Sequence, residues 1–201
     1  NASLIKKSLI KAYKFNPDII CLPECANIMT ANKSHLFKYA TLQKDCPVLE
    51  ECIQFAKKYN KFVSVGSLLL KKNNSSKLLN RSFFINHSGK IMAYYDKIHL
   101  FDVNINRKEV HRESKSFHKG NKVVIITSPW GKIGLTICYD IRFPNLYRNL
   151  VKQGVKIILV PAAFTVPTGK DHWEILLRSR AIENTSFIIA TGQCGKHHAR
   201  R

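Results

Sequence analysis

Of the six cysteines in this 201-residue chain, at positions 21, 25, 46, 52, 138 and 194, one stands where a nucleophile could be built. Cys138 follows the run Ile133-Gly134-Leu135-Thr136-Ile137 and precedes Tyr139-Asp140-Ile141-Arg142-Phe143-Pro144, a pattern that predicts a sharp strand-to-helix turn. Backbone N–H groups and the positive end of a helix dipole at such a turn would favour a thiolate. The same place would also suit an inert buried thiol. A working cysteine needs a base, an oxyanion stabiliser and a proton route to the leaving group. His99, His111, His118 and His172 are available as bases, and of these only His172, within Asp171-His172-Trp173-Glu174, has distinctive surroundings. Two other residues have better context. Glu24 puts a carboxylate behind the apolar run Asp18-Ile19-Ile20-Cys21-Leu22 and Pro23, and Lys97 directly follows Ile91-Met92-Ala93-Tyr94-Tyr95-Asp96.

The elements that must hold these residues can be read from hydrophobic period and turn chemistry. Residues 3–15 carry Leu4, Ile5, Leu9, Ile10 and Tyr13 between lysines, an amphipathic helix with Ser3 as cap, stopped by Asn16-Pro17. The run 18–22 reads as a buried strand, and 47–59 as a helix entered through Pro47. Strands are predicted at 61–70, 78–86 and 91–96, the last two joined by the turn His87-Ser88-Gly89-Lys90. A long polar stretch, 103–122, has no period; such a connection lines a site or is disordered. A hairpin over 123–137 turns at Pro129-Trp130-Gly131-Lys132, followed by a helix at 144–153 and a strand at 156–160, a βαβ order that implies parallel pairing. A helix at 171–184 and a strand at 187–191 complete one α/β domain without internal repeats.

Composition narrows the function classes. The chain is 45% hydrophobic, which argues against disorder, and its longest apolar runs are too short to span a bilayer. Its formal charge is +20, from 33 Lys plus Arg against 13 Asp plus Glu, which raises a polyanion partner. The basic residues are scattered as singles and pairs, with neither Arg forks nor interleaved aromatics, so a Lys-rich solvated surface is expected, with no specific nucleic-acid or membrane partner. The cysteines include no Cys-x-x-Cys pair. With no signal peptide in view, reduced thiols in a cytoplasmic compartment are expected. Cys21 and Cys25 with His197-His198 match no common zinc spacing, and neither metal nor cofactor is called for.

Three segments in order then resemble the nitrilase superfamily of carbon-nitrogen hydrolases, which use a Glu-Lys-Cys triad: Ile19-Ile20-Cys21-Leu22-Pro23-Glu24-Cys25, Tyr95-Asp96-Lys97-Ile98-His99-Leu100-Phe101-Asp102, and the stretch 131–144 around Cys138. The resemblance implies that Glu24 is the general base, that Lys97 holds the oxyanion together with the Tyr139 backbone N–H, and that Cys138 forms a thioester acyl-enzyme. It also implies that Glu113, in Arg112-Glu113-Ser114-Lys115, is a second, orienting glutamate. Asp140 and Arg142 would anchor the turn, Arg142 being also a candidate for a substrate carboxylate. Pro161-Ala162-Ala163-Phe164-Thr165 resembles a substrate-contacting loop, with Phe164 and Thr165 as pocket candidates. The segments 171–183 and 192–198 are most similar to deaminated glutathione amidases and the related ω-amidases, whose substrates are small anionic amides.

The fold so implied is an αββα four-layer sandwich, with the helix at 171–184 joining subunits of a homo-oligomer. Against that pattern the chain is expected to be truncated at both ends, as a single domain lacking the family's first strand and its C-terminal strands. The competing reading is an inactive or decayed fragment, at most a weak polyanion-binding protein.

Overall fold

The computed structural model describes residues 1–30, 32–105 and 110–195. The predicted Lys196-His197-His198 stretch lies outside them. The first helix, α1 (Ala2–Tyr13), buries Ile5 and Leu9, and α3 (Pro47–Tyr59) buries Val48, Leu49, Cys52, Phe55 and Ala56. Both stripes recur at three- and four-residue spacing, which lines one helix face. Asn16 and Asn60 follow these helices in left-handed conformations, and Pro47 starts α3. Between them lie β1 (Ile19–Cys21) and α2 (Lys33–Tyr39). The short helix α2 has no strong apolar period and is not anticipated from sequence; Asn32 caps it by accepting from the N–H groups of Ser34 and His35.

The chain continues through β2 (Phe62–Lys71), β3 (Leu78–Ile85) and β4 (Ile91–Asp96), and these complete a sheet in the order β1-β2-β3-β4. Strand β1 runs parallel to β2, and the others pair antiparallel. A two-stranded ribbon of β5 (Asp102–Asn104) and β6 (Val110–Arg112) follows. The second sheet has the order β10-β9-β8-β7 and comprises β7 (Ile125–Ser128), β8 (Gly131–Leu135), β9 (Val155–Ala162) and β10 (Phe187–Gly192). Helix α4 (Pro144–Lys152) crosses between β8 and β9, which pair in parallel as the βαβ order requires. Helix α5 (Val166–Asn184) starts earlier than the Asp171 expected, because Val166-Pro167 supplies a favourable first turn.

Three apolar layers make this an αββα sandwich. One packs α1 and α3 on the outer face of the first sheet, with Leu9, Cys52, Phe83 and Ile85 at its centre. A second joins the two sheets through Phe84, Tyr95, Ile133, Leu135 and Leu159. The third seats α4 and α5 on the second sheet through Tyr147, Leu150, Ile158 and Val160. The chain packs tightly at Gly66, where a β-carbon would overlap the Leu22 carbonyl oxygen and lie 2.6 Å from the Pro161 β-carbon of the second sheet. Among the described residues, no helix is long and apolar enough to cross a membrane.

Candidate active site

Each predicted reactive side chain stands just beyond the end of a strand. Past β1, Leu22 N–H donates to the Ser64 carbonyl, and the chain then folds over an irregularity in β2 at Val65–Leu68. The Cys25 N–H donates to Ser67 Oγ and Ala26 N–H to the Ser67 carbonyl. The second sheet grips the same segment, since Thr191 Oγ1 donates to the Leu22 carbonyl and Gln193 Nε2 to that of Glu24. Glu24 is thereby fixed in the interior, 2% exposed, with Oε2 accepting from Ala163 N–H at 2.8 Å.

Lys97 leaves β4 with its N–H on the Asn80 carbonyl and its own carbonyl on Gly120 N–H. Its ammonium, equally buried, lies 2.9 Å from Glu24 Oε1 and 3.0 Å from Glu113 Oε2. Glu113 opens a single 3-10 turn directly after β6, and its Oε2 also accepts from Phe101 N–H at 2.6 Å. Within the long polar stretch, residues 110–113 and 115–117 therefore line the site, and Glu113 supplies one of its carboxylates. The ribbon within it was hidden from sequence because its strands are only three residues each.

Cys138 sits at the head of a five-residue 3-10 turn, in a left-handed conformation with φ of 48°. A non-glycine residue so placed is strained, and such strain persists only where surrounding contacts enforce it. Asp140 does so here. It is fully buried and accepts from Tyr95 Oη (2.7 Å), Ile137 N–H (2.8 Å) and His99 N–H (2.9 Å), with His99 Nδ1 at 2.7 Å. The anchoring role expected of Asp140 is thus observed, whereas Arg142 stands at the cleft mouth, bonded to His172 Nδ1 and facing the Phe164 ring.

The electrostatics correct one expectation. Because α4 begins only at Pro144, Cys138 is not at an α-helix N-terminus. Burial, and then the Glu24 carboxylate, push its thiol well above the usual range, against the smaller pull of Lys97, so the resting residue is a thiol. Burial would also raise Glu24, but the Lys97 ammonium overrides it and, with bonds from Cys138 and Asn80, holds the carboxyl below its ordinary value. Lys97 is raised well above its ordinary value, since Glu113 and Glu24 outweigh the burial that would lower it. The cluster is an ammonium between two carboxylates, with a protonated thiol beside them. Of the four histidines weighed as bases, His99 is held by Asp140, His118 by Ser75 and His172 by Arg142, while His111 lines the cleft against the Phe101 ring.

Glu24, Lys97, Glu113, Cys138, Tyr139, Arg142, Phe164 and Thr165 line one cleft of about 490 Å³. Tyr139 packs edge-on against Phe101, Phe164 leans on Trp173 at 4.9 Å between ring centres, and Thr165, nearly buried, ends the loop at the start of α5. Sequence reasoning missed Asn80. Its Nδ2 donates to Glu24 Oε1 (3.0 Å) and Glu113 Oε1 (3.3 Å), while its Oδ1 is buried without a partner. An unpaired buried acceptor costs about 1–3 kcal/mol. The signal available in the sequence was an asparagine inside an otherwise strand-forming run, Leu78-Leu79-Asn80-Arg81-Ser82-Phe83-Phe84.

This fold and cluster define the class of the molecule as a nitrilase-fold protein. The backbone superposes on that of the Caenorhabditis elegans nitrilase and fragile histidine triad fusion protein NitFhit with a TM-score of 0.90, at 34% identity, covering 100% of this chain and 49% of that one. Saccharomyces cerevisiae Nit3, a member of branch 10 of the nitrilase superfamily, gives 0.84 at 28% identity, over 96% of this chain and 69% of that one. The model of the carbon-nitrogen hydrolase family matches residues 1–201, and the chain belongs to that family. It is 39% identical to the deaminated glutathione amidase of Yersinia enterocolitica, over 96% of this chain and 68% of that protein, and 38% identical to that of Dictyostelium discoideum, over 98% and 69%.

Proposed function

We propose that the protein hydrolyses the C–N bond of a small anionic amide through a thioester on Cys138. The observation that carries this reading is the buried Lys97 ammonium held between Glu24 and Glu113 with the Cys138 thiol beside them on the cleft wall. Glu24, kept ionised, takes the thiol proton as sulfur attacks the carbonyl carbon. The oxyanion forms beside Lys97 and the Tyr139 N–H, where preorganised donors in a water-poor site are worth about 3–4 kcal/mol each. Collapse breaks the C–N bond, and Glu24 returns its proton to the departing ammonia or amine. Water then attacks the thioester, Glu24 accepts one of its protons, and the acid leaves as the thiol is restored. Glu113 keeps Lys97 in place while Glu24 changes charge.

The substrate class follows from the cleft mouth and the relatives. Lys33, Lys115 and Arg142 line the cleft, and cations there favour an anionic amide. Deaminated glutathione or an ω-amide of a dicarboxylic acid fits that charge, as do the names of the relatives above. The chemistry proposed uses neither metal nor cofactor, and exposed apolar residues on α5 support a homo-oligomer.

The test is release of ammonia or amine from such monoamides by the purified chain and its Cys138→Ala variant. The variant is expected to lose at least about 1,000-fold. In Glu113→Gln an acyl adduct on Cys138 should accumulate and be seen by intact-mass spectrometry. An unaltered rate in Cys138→Ala overturns the mechanism, and salt-dependent nucleic-acid binding with no amide hydrolysis in any folded form would replace the reading altogether.

A further inference from the structure

The arrangement around Asn80 carries an inference that rests on the reading above and deepens it. Glu24 Oε1 accepts two bonds, from Lys97 Nζ at 2.9 Å and Asn80 Nδ2 at 3.0 Å. Glu24 Oε2 accepts from Ala163 N–H at 2.8 Å. A carboxylate oxygen offers two in-plane lone pairs, so Oε1 is saturated and Oε2 keeps one for a further proton. The other hydrogen of the same Asn80 amide reaches Glu113 Oε1. The backbone carbonyl of Asn80, in turn, accepts the backbone N–H of Lys97, so one residue touches three members of the cluster.

We propose that Asn80 is a positioning residue, whose amide bridges the two glutamates, saturates Glu24 Oε1 and so directs the Cys138 proton onto Oε2. Only the NH₂ side of an amide can face two carboxylates. Its Oδ1 is left buried without a partner, so the orientation follows the glutamates rather than its own carbonyl. Two carboxylates beside a single ammonium leave one negative charge in the interior; a neutral double donor lowers that repulsion without adding a proton that could be lost. When Glu24 takes up the thiol proton on Oε2, the bonds to Oε1 persist and the carboxyl does not rotate away from sulfur.

The test uses the full chain, Asn80→Ala, the isosteric Asn80→Asp, and Ser82→Ala as a control. Ser82 is a buried hydroxyl without a partner two residues along β3. Two pH profiles are read: kcat/KM for a monoamide, and the rate at which iodoacetamide alkylates Cys138, followed on its peptide by mass spectrometry. Removing a donor to the Glu24 carboxylate should move the acid limb of both profiles up by about half a pH unit or more and lower kcat about tenfold with KM within about threefold. Asn80→Asp, which adds a third acid, should move it further, and it carries the test if Asn80→Ala does not fold. Ser82→Ala should leave the limb in place. An unmoved acid limb in a folded Asn80 variant overturns the proposal even if the rate drops, because a packing defect lowers rate without shifting the profile. Alkylation of Cys138 that ignores Glu24→Gln overturns instead the functional reading beneath it.

Discussion

Burial and the neighbouring carboxylate both disfavour a thiolate at Cys138, so the proposed reaction needs a base to take the thiol proton. Glu24 is suited to that removal, since Lys97 keeps it ionised below the usual carboxylate range. Lys97 is committed in turn, and taking away one partner of a buried pair leaves an uncompensated charge. Lys97→Met is therefore expected to cost about 3–5 kcal/mol of stability and all activity, measured by denaturant unfolding and amide turnover. Arg142 works at longer range. Half-buried on the cleft wall and bonded to His172, it is proposed to meet a substrate carboxylate without touching the reacting carbon. Arg142→Ala should raise KM about tenfold with kcat little changed, as loss of uniform binding requires; a fall in kcat alone would remove Arg142 from substrate binding.

At the scale of elements, the site exists because the ends of two sheets meet over Gly66. Strand β2 delivers the glycine, the segment after β1 crosses it, and Pro161 of β9 presses from the other side. A methyl group there meets backbone, which cannot rotate away. Gly66→Ala is expected to destabilise the fold by about 2–4 kcal/mol and to displace Glu24 from Ala163 N–H, so unfolding midpoint and turnover should fall together. Wild-type stability in this variant would show that the two sheets can part at no cost. The turn at Cys138 is set by the same economy of contacts: Asp140 binds β4 through Tyr95, the chain after Lys97 through His99, and its own turn through Ile137, so one carboxylate places Cys138 and Lys97 in a common frame.

For the whole molecule, the buried groups fix how stability depends on pH. The folded pKa of Glu24 lies below its ordinary 4.5, so its contribution is complete above about that pH and fades as pH falls through the depressed value. Lys97 contributes below 10.5 and its share is lost as pH rises through its raised value. The thiols Cys21, pushed up to about 12 by burial, and Cys138 stay protonated in the fold, while an unfolded chain ionises them above 9.0. The melting temperature should thus be level between roughly pH 5 and 9 and fall on both sides, with the acid fall shallower in Glu24→Gln. The outer surface offers a second test. Ile175 (66% exposed), Ile182 (76%) and Phe187 (75%) leave apolar area uncovered on α5 and β10. Ile182→Lys should shift sedimentation toward monomer with the fold intact, and an unchanged distribution would remove α5 from any interface.

What the sequence determined by itself was local or carried by motif: the apolar periods of α1, α3 and the core strands, the break at Asn16-Pro17, the helix entry at Pro47, and the three reactive types at strand ends. These are legible because period and turn chemistry act between neighbours in the chain. Tertiary structure decided the rest. Helix α2 and the β5-β6 ribbon are too short to announce themselves, and α2 is held by Leu36 packing with Leu69, Leu78 and Phe117 from distant parts of the chain. The helix expected to activate Cys138 begins too late, so the thiol is pushed up by burial and then by Glu24, 114 positions away in sequence. Asn80, unremarkable in its strand, acquires meaning only when Glu24 and Glu113 close on it from either side. Charge and burial act through space, and only the folded chain says which groups share that space.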